Sequence, residues 1–116
     1  MNKVKLPDTR LTGRTVKVKI GDLSVFIIVN KDEHGNVMEC FAYERKGHQG
    51  ELDGLAGLAS IALQHGTPVD KVVKFLRYRR YAPEGGIGQP SSLSDALGRA
   101  LEQADNEDWT DMERGI

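Results

Sequence analysis

The stretch RKGHQGELDGLAGLASIALQ, Arg45–Gln64, decides how the rest of the chain is read. A basic, glycine-bearing turn runs straight into an apolar segment rich in Gly, Ala and Ser. Leu52, Leu55, Leu58, Ala59, Ala62 and Leu63 recur at helical spacing from about Glu51 to His65, which predicts a helix with one buried stripe. A helix start exposes unpaired backbone N–H groups and a partial positive charge, so a glycine turn feeding it is a place where an anion could sit. The small side chains of the helix predict close approach by another backbone.

Working back from Arg45, the chain reads as strands. VMECFAYER, Val37–Arg45, is mostly apolar on both alternating sets, with Glu39 the odd member. KDEHGN supplies a reversal, with positive φ at His34-Gly35 or Gly35-Asn36. LSVFIIVN, Leu23–Asn30, is rich in β-branched residues and suits a central strand covered on both faces or lying at an oligomer contact. From Arg14, Val16, Val18 and Ile20 alternate with Lys17 and Lys19, and Gly21-Asp22 turns the chain. Short turns between three strands predict an antiparallel meander. Residues 1–13 read as an N-terminal arm, because Pro7, Asp8 and Gly13 disfavour regular structure.

Working forward, Gly66 ends the helix and Thr67-Pro68-Val69-Asp70 restarts one, with Thr67 as cap and proline at the first helical position. Val69, Val72, Val73 and Leu76 give its buried face. It runs into the basic cluster Arg77-Tyr78-Arg79-Arg80-Tyr81 and a loop, APEGGIGQP. Ser91 or Ser92 can cap a third helix whose stripe is Leu93, Ala96, Leu97, Ala100 and Leu101. Residues 105–116 are acidic and aperiodic, a tail with Trp109 as a docking anchor. The expected architecture is α+β: a three-stranded antiparallel β-meander followed by three helices packed mainly on one sheet face, as one domain over 14–104.

Composition narrows the function. With 16 Lys plus Arg against 17 Asp plus Glu, charge-driven binding to nucleic acid or membrane surfaces is not expected. Cys40 is the single cysteine, and His34, His48 and His65 are dispersed, so neither a disulfide, a metal site nor a cofactor is expected within the chain. No segment approaches the about 18 apolar residues of a membrane span. MNKVKLPDTR has no hydrophobic signal region. A cytoplasmic protein is the expectation.

The run from Gly35 to Leu76, followed by GGIGQPSSLSDALGRAL, resembles the TSCPD domain, found at the C-terminus of adenosylcobalamin-dependent ribonucleotide reductases and as small free-standing proteins. Lys46-Gly47 matches that family's turn, Ala59–Leu63 its small-residue helix core and Gly66-Thr67-Pro68 its restart. Ser91-Ser92-Leu93-Ser94-Asp95 stands where the Thr-Ser-Cys-Pro-Asp motif belongs, with Leu93 at the cysteine and Ser94 at the proline position. LPDTRLTGRTVKVKIG is similar to the segment that precedes the domain in those reductases, and the likeness covers roughly residues 6–103. It implies the fold and a nucleotide or reductase context. The reductase's dithiol tail and catalytic barrel have no counterpart here, so reductase catalysis by this chain alone is not implied.

Two basic, glycine-flanked helix termini are the candidate ligand contacts. One is Arg45, Lys46, Gly47, His48 and Gln49, opposed by Glu51 and Asp53 in the first helical turn. The other is Arg77, Arg79, Arg80 and Tyr81 with Gly86, Ser91 and Ser92, where guanidinium groups suit phosphates and tyrosines offer stacking surfaces. The expected function is a non-catalytic module binding a nucleotide or related phosphorylated small molecule. The alternatives are an accessory or split-off domain of a ribonucleotide reductase acting by protein contact, and a homo-oligomeric structural protein assembling through LSVFIIVN.

Overall fold

The computed structural model describes residues 11–109. Strands β1 (Thr12–Ile20), β2 (Leu23–Lys31) and β3 (Val37–Tyr43) form one antiparallel sheet in the order β1-β2-β3. Helices α1 (Gln49–Gln64), α2 (Val69–Leu76) and α3 (Leu93–Asn106) follow. The α+β layout is the one the sequence predicts. Strand β1 begins at Thr12 rather than after Gly13, and α3 reaches past residue 104. The rest of the expected arm and tail, residues 1–10 and 110–116, lies outside the described residues.

Val16, Val18 and Ile20 of β1, with Val25, Ile27 and Val29 of β2, turn toward the helices. In β3 the phase changes. A bulge where Lys31 meets Val37 lets Val37 share the covered face with Cys40 and Ala42, which simple alternation forbids. The opposite face leaves Phe26, Phe41 and Tyr43 exposed, so β2 is central in the sheet but covered on one face only by the described residues.

Helix α3 is the centre of the molecule. Nine of its residues are buried, and it touches all three strands and both other helices. Helix α1 lies along β3, while α2 packs chiefly on α3. Gly98 makes the α2–α3 approach possible: a Cβ there would lie 2.6 Å from Arg77 Cγ and 2.9 Å from Arg77 N. The small residues of α1 behave differently. Ala56 and Ala59 are buried, but Gly50, Gly54 and Gly57 have nothing within 4 Å of a Cβ and pack no neighbouring backbone. Leu58, expected in the buried stripe, is 70% exposed. Helix α2 starts one residue later than its proline suggests, with Pro68 at the cap position and no side-chain cap from Thr67.

Side chains of α1 also close the free edge of β3. Ser60 Oγ accepts from Cys40 N (2.9 Å) and donates to Cys40 O (3.1 Å), and Gln49 Nε2 donates to Ala42 O (2.7 Å). That edge is therefore blocked against another strand. Beyond α3 the chain returns to the sheet. Trp109 is buried, with Lys31 Nζ 4.5 Å and the Arg14 guanidinium 5.3 Å from its ring. Lys31 Nζ donates to Glu107 O (2.6 Å), and Arg14 pairs with Glu107 at 3.1 Å. The docking expected of Trp109 is thus onto its own sheet.

Candidate functional site

The turn before α1 is occupied from within. Buried Glu44 accepts hydrogen bonds from the backbone N–H groups of Lys46 and His48, the donors an anion would have used. Glu44 N in turn donates to Gln49 Oε1 (2.9 Å). Gly47 adopts φ 95°, which lets the turn wrap around this carboxylate. Arg45 and Lys46 are exposed, and Lys46 Nζ reaches Asp22 O at 3.3 Å. His48 precedes the helix without a side-chain cap.

The second cluster is built around Asp95. Its carboxylate, 1% exposed, accepts from Tyr78 N (2.8 Å) and Ser91 N (3.0 Å) and pairs with Arg99 (3.1 Å) and Arg77 (3.5 Å). Ser92 is the α3 cap, its Oγ accepting from Asp95 N (3.0 Å). Burial alone would raise the Asp95 pKa, but the Tyr78 and Ser91 N–H groups, then Arg99 and Arg77, outweigh it and hold the carboxyl below its usual value. Tyr78, held by Asp95, has φ 67°, a costly conformation for a bulky residue.

The basic residues after α2 therefore divide. Arg77 points inward, pairing with Asp95 and Glu102 and stacking 4.3 Å from the Tyr78 ring. Tyr81 donates its hydroxyl to Glu51 (2.7 Å) and accepts from Ser94 N (3.1 Å), a bond that proline at this position could not make. Its pKa is raised by burial and by the Glu51 carboxylate. Arg79 donates through Nε to Phe75 O (2.8 Å) and borders an apolar groove between α1 and α2 that includes Leu55, Leu58, Val72 and Phe75. Arg80, 73% exposed and paired with Glu84, faces a different groove.

That groove, about 530 Å³, is walled by Tyr78, Arg80, the Gly85–Gln89 loop, Ser91, Arg99 and the Asp95 carboxylate that Arg99 neutralises. The loop is held from below by Gln89, whose Oε1 accepts from Gly86 N (3.0 Å) and from Gly21 N (2.8 Å) in the β1–β2 turn. Arg99 Nη1 and Nη2 donate to Gly88 O (3.3 Å) and Gln89 O (3.4 Å). Arg80, Gly86 and Ser91 are thus brought together. Arg77, Arg79, Tyr81 and Ser92 serve other contacts, and the Lys46 turn lines a separate hollow. Tyr78 belongs to the basic cluster that the sequence singles out, whereas Arg99 does not. An arginine seven residues into α3 gave no signal until the loop was folded over it.

The TSCPD domain family matches residues 2–105 of the chain. The chain belongs to the TSCPD domain family. No curated protein and no solved structure matches it. In this TSCPD domain the motif positions that keep Ser and Asp, Ser92 and Asp95, are the helix cap and the buried carboxylate. Ser94, at the proline position, donates its hydroxyl to Leu76 O (2.8 Å). Cys40 is buried mid-strand, and burial pushes its thiol up to about 11, which makes it a packing residue. Among the described residues no His/Cys/Asp/Glu group is arranged to hold a metal, and no helix is long and apolar enough to cross a membrane.

Proposed function

We propose that this TSCPD domain is a non-catalytic binding module for a nucleotide or related phosphorylated small molecule, seated in the Arg80–Arg99 groove. The observation that carries this reading is the convergence of two guanidinium groups, a glycine loop and the exposed ring of Tyr78 on one cavity of about 530 Å³. Arg80 keeps donors free beyond its Glu84 bond and suits a phosphate oxygen. Arg99 spends its donors on Asp95 and the loop, so it supplies charge and holds the wall. Tyr78 offers a face on which a base can stack. The Lys46 turn contributes little to this reading, because Glu44 fills it.

The test is thermal unfolding across nucleoside mono-, di- and triphosphates and inorganic pyrophosphate at millimolar concentration. A ligand at about 100 times its Kd adds about 2.7 kcal/mol, a shift of several degrees for a domain of this size. Arg80→Ala should remove the shift, while Arg79→Ala, outside the groove, should keep it. The absence of any shift across the panel would falsify the reading.

A second reading has its own observation. The apolar groove between α1 and α2 leaves Leu58 and Phe75 70% and 68% exposed, a surface suited to a protein partner. The family's association with ribonucleotide reductases makes such an enzyme the natural candidate for an accessory domain. A tagged chain should then retain a reductase subunit, and Leu58→Glu with Phe75→Glu should release it. Retention by that double variant would count against the groove as the contact.

A further inference from the structure

The two faces of the sheet are unlike. One packs on the helices. The other carries, in register, Lys17–Phe26–Tyr43 and Thr15–Ile28–Phe41 across the three strands. Phe26, Phe41 and Tyr43 stand 42%, 51% and 64% exposed, and among the described residues no helix covers them. We propose that this face is a self-association surface, covered in solution by the same face of a second copy of this chain, with a twofold axis running along β2.

The distribution of bulk and charge selects that occupant and that axis. Aromatic side chains stand on the β3 edge, at Phe41 and Tyr43, whereas the β1 edge carries Lys17 and Lys19 beside Thr15 and Gly13. A twofold along the central strand lays the aromatic edge of one copy over the lysine-bearing edge of the other. A twofold across the strands would instead stack aromatic edge on aromatic edge, and would set Lys17 and Lys19 against their own copies. In the chosen arrangement Lys17, already 5.8 Å from the Phe26 ring, comes under Tyr43 of the partner subunit and lies between two aromatic faces. A hollow bounded by Phe26, Ile28 and Tyr43, with Asp22, Glu44, Arg45 and Lys46 at its charged end, gives the face relief for side chains to enter.

The dimensions suit a weak dimer. Three strands about 4.8 Å apart and up to nine residues long at about 3.3 Å each give a plane of roughly 14 by 28 Å. That is about 390 Å² per copy before side-chain relief, in the range of weak, transient interfaces. Edge pairing through β3 is blocked by Gln49 and Ser60, so the aromatic residues of β3 are reached through the face and not along the edge.

Sedimentation velocity on the full chain tests this at roughly 100 µM, above the micromolar Kd expected of a small interface. A dimer is expected. Phe41→Lys with Tyr43→Lys should give a monomer with an unchanged circular dichroism spectrum. Lys17→Glu should raise Kd by roughly 30-fold, the scale of a 2 kcal/mol contact, and Leu58→Lys on the helical side should leave the dimer intact. A wild-type monomer at that concentration overturns the proposal. A dimer that survives both the double and the Lys17 substitution overturns it equally.

Discussion

A carboxylate taken out of water has to be surrounded by donors, and Asp95 draws them from the backbone N–H groups of Tyr78 and Ser91 and from Arg99, with Arg77 as a second counter-charge 3.5 Å away. Asp95→Asn keeps the shape but leaves Arg77 and Arg99 without their shared counter-charge, and a loss of about 3 kcal/mol is expected by denaturant unfolding at pH 7. The pH dependence follows in sign. The folded pKa lies below the ordinary 3.8, so the stabilisation is present above about pH 4 and disappears as pH falls through the lower folded value. Wild type and Asp95→Asn should therefore converge in stability in acid, and curves that stay parallel down to pH 2 would remove Asp95 from this role. At Cys40 the raised pKa and burial predict a thiol that reacts with iodoacetamide at neutral pH only at the rate of unfolding. Brisk labelling of the native protein would contradict it. In the sequence Asp95 is only the last residue of Ser91–Asp95, because nothing in linear spacing says that the backbone of Tyr78 folds back onto it.

At the scale of elements, glycines in two helices look alike in sequence and act oppositely. Gly98→Ala drives a methyl group into the Arg77 backbone and Leu76, and a cost of about 1–3 kcal/mol is expected despite alanine's better helix propensity. Gly54→Ala and Gly57→Ala meet open space and should each gain about 1 kcal/mol. Thermal melts of the three variants decide it, and a stabilised Gly98→Ala would mean that α2 and α3 do not pack this closely. Strands and helices were legible because period-2 and helical repeats survive in the sequence: Val16, Val18 and Ile20 in β1, and Val72, Val73 and Leu76 in α2. What escaped depends on tertiary placement. Leu58 fits a helical stripe by spacing, yet α1 turns it outward, and the bulge beside Val37 resets which residues of β3 meet the core. The candidate site was half legible. The basic run after α2 was visible, but its division into inward Arg77, groove-facing Arg80 and Arg79 at another wall required the turn at Tyr78.

For the molecule as a whole, the chain beyond α3 closes the domain on the side away from the glycine loop. Trp109→Ala removes a buried indole that Arg14 and Lys31 both approach, and a loss of about 3–5 kcal/mol is expected. A melting temperature unchanged by that substitution would show that α3 needs no such anchor. The same residue is the chain's single tryptophan. Its emission is therefore an intrinsic optical probe whose signal comes from one known place. It lines neither the Arg80 groove nor the open sheet face. A ligand titration or a dilution series can thus be followed by other means, while fluorescence reports independently whether the domain has stayed closed.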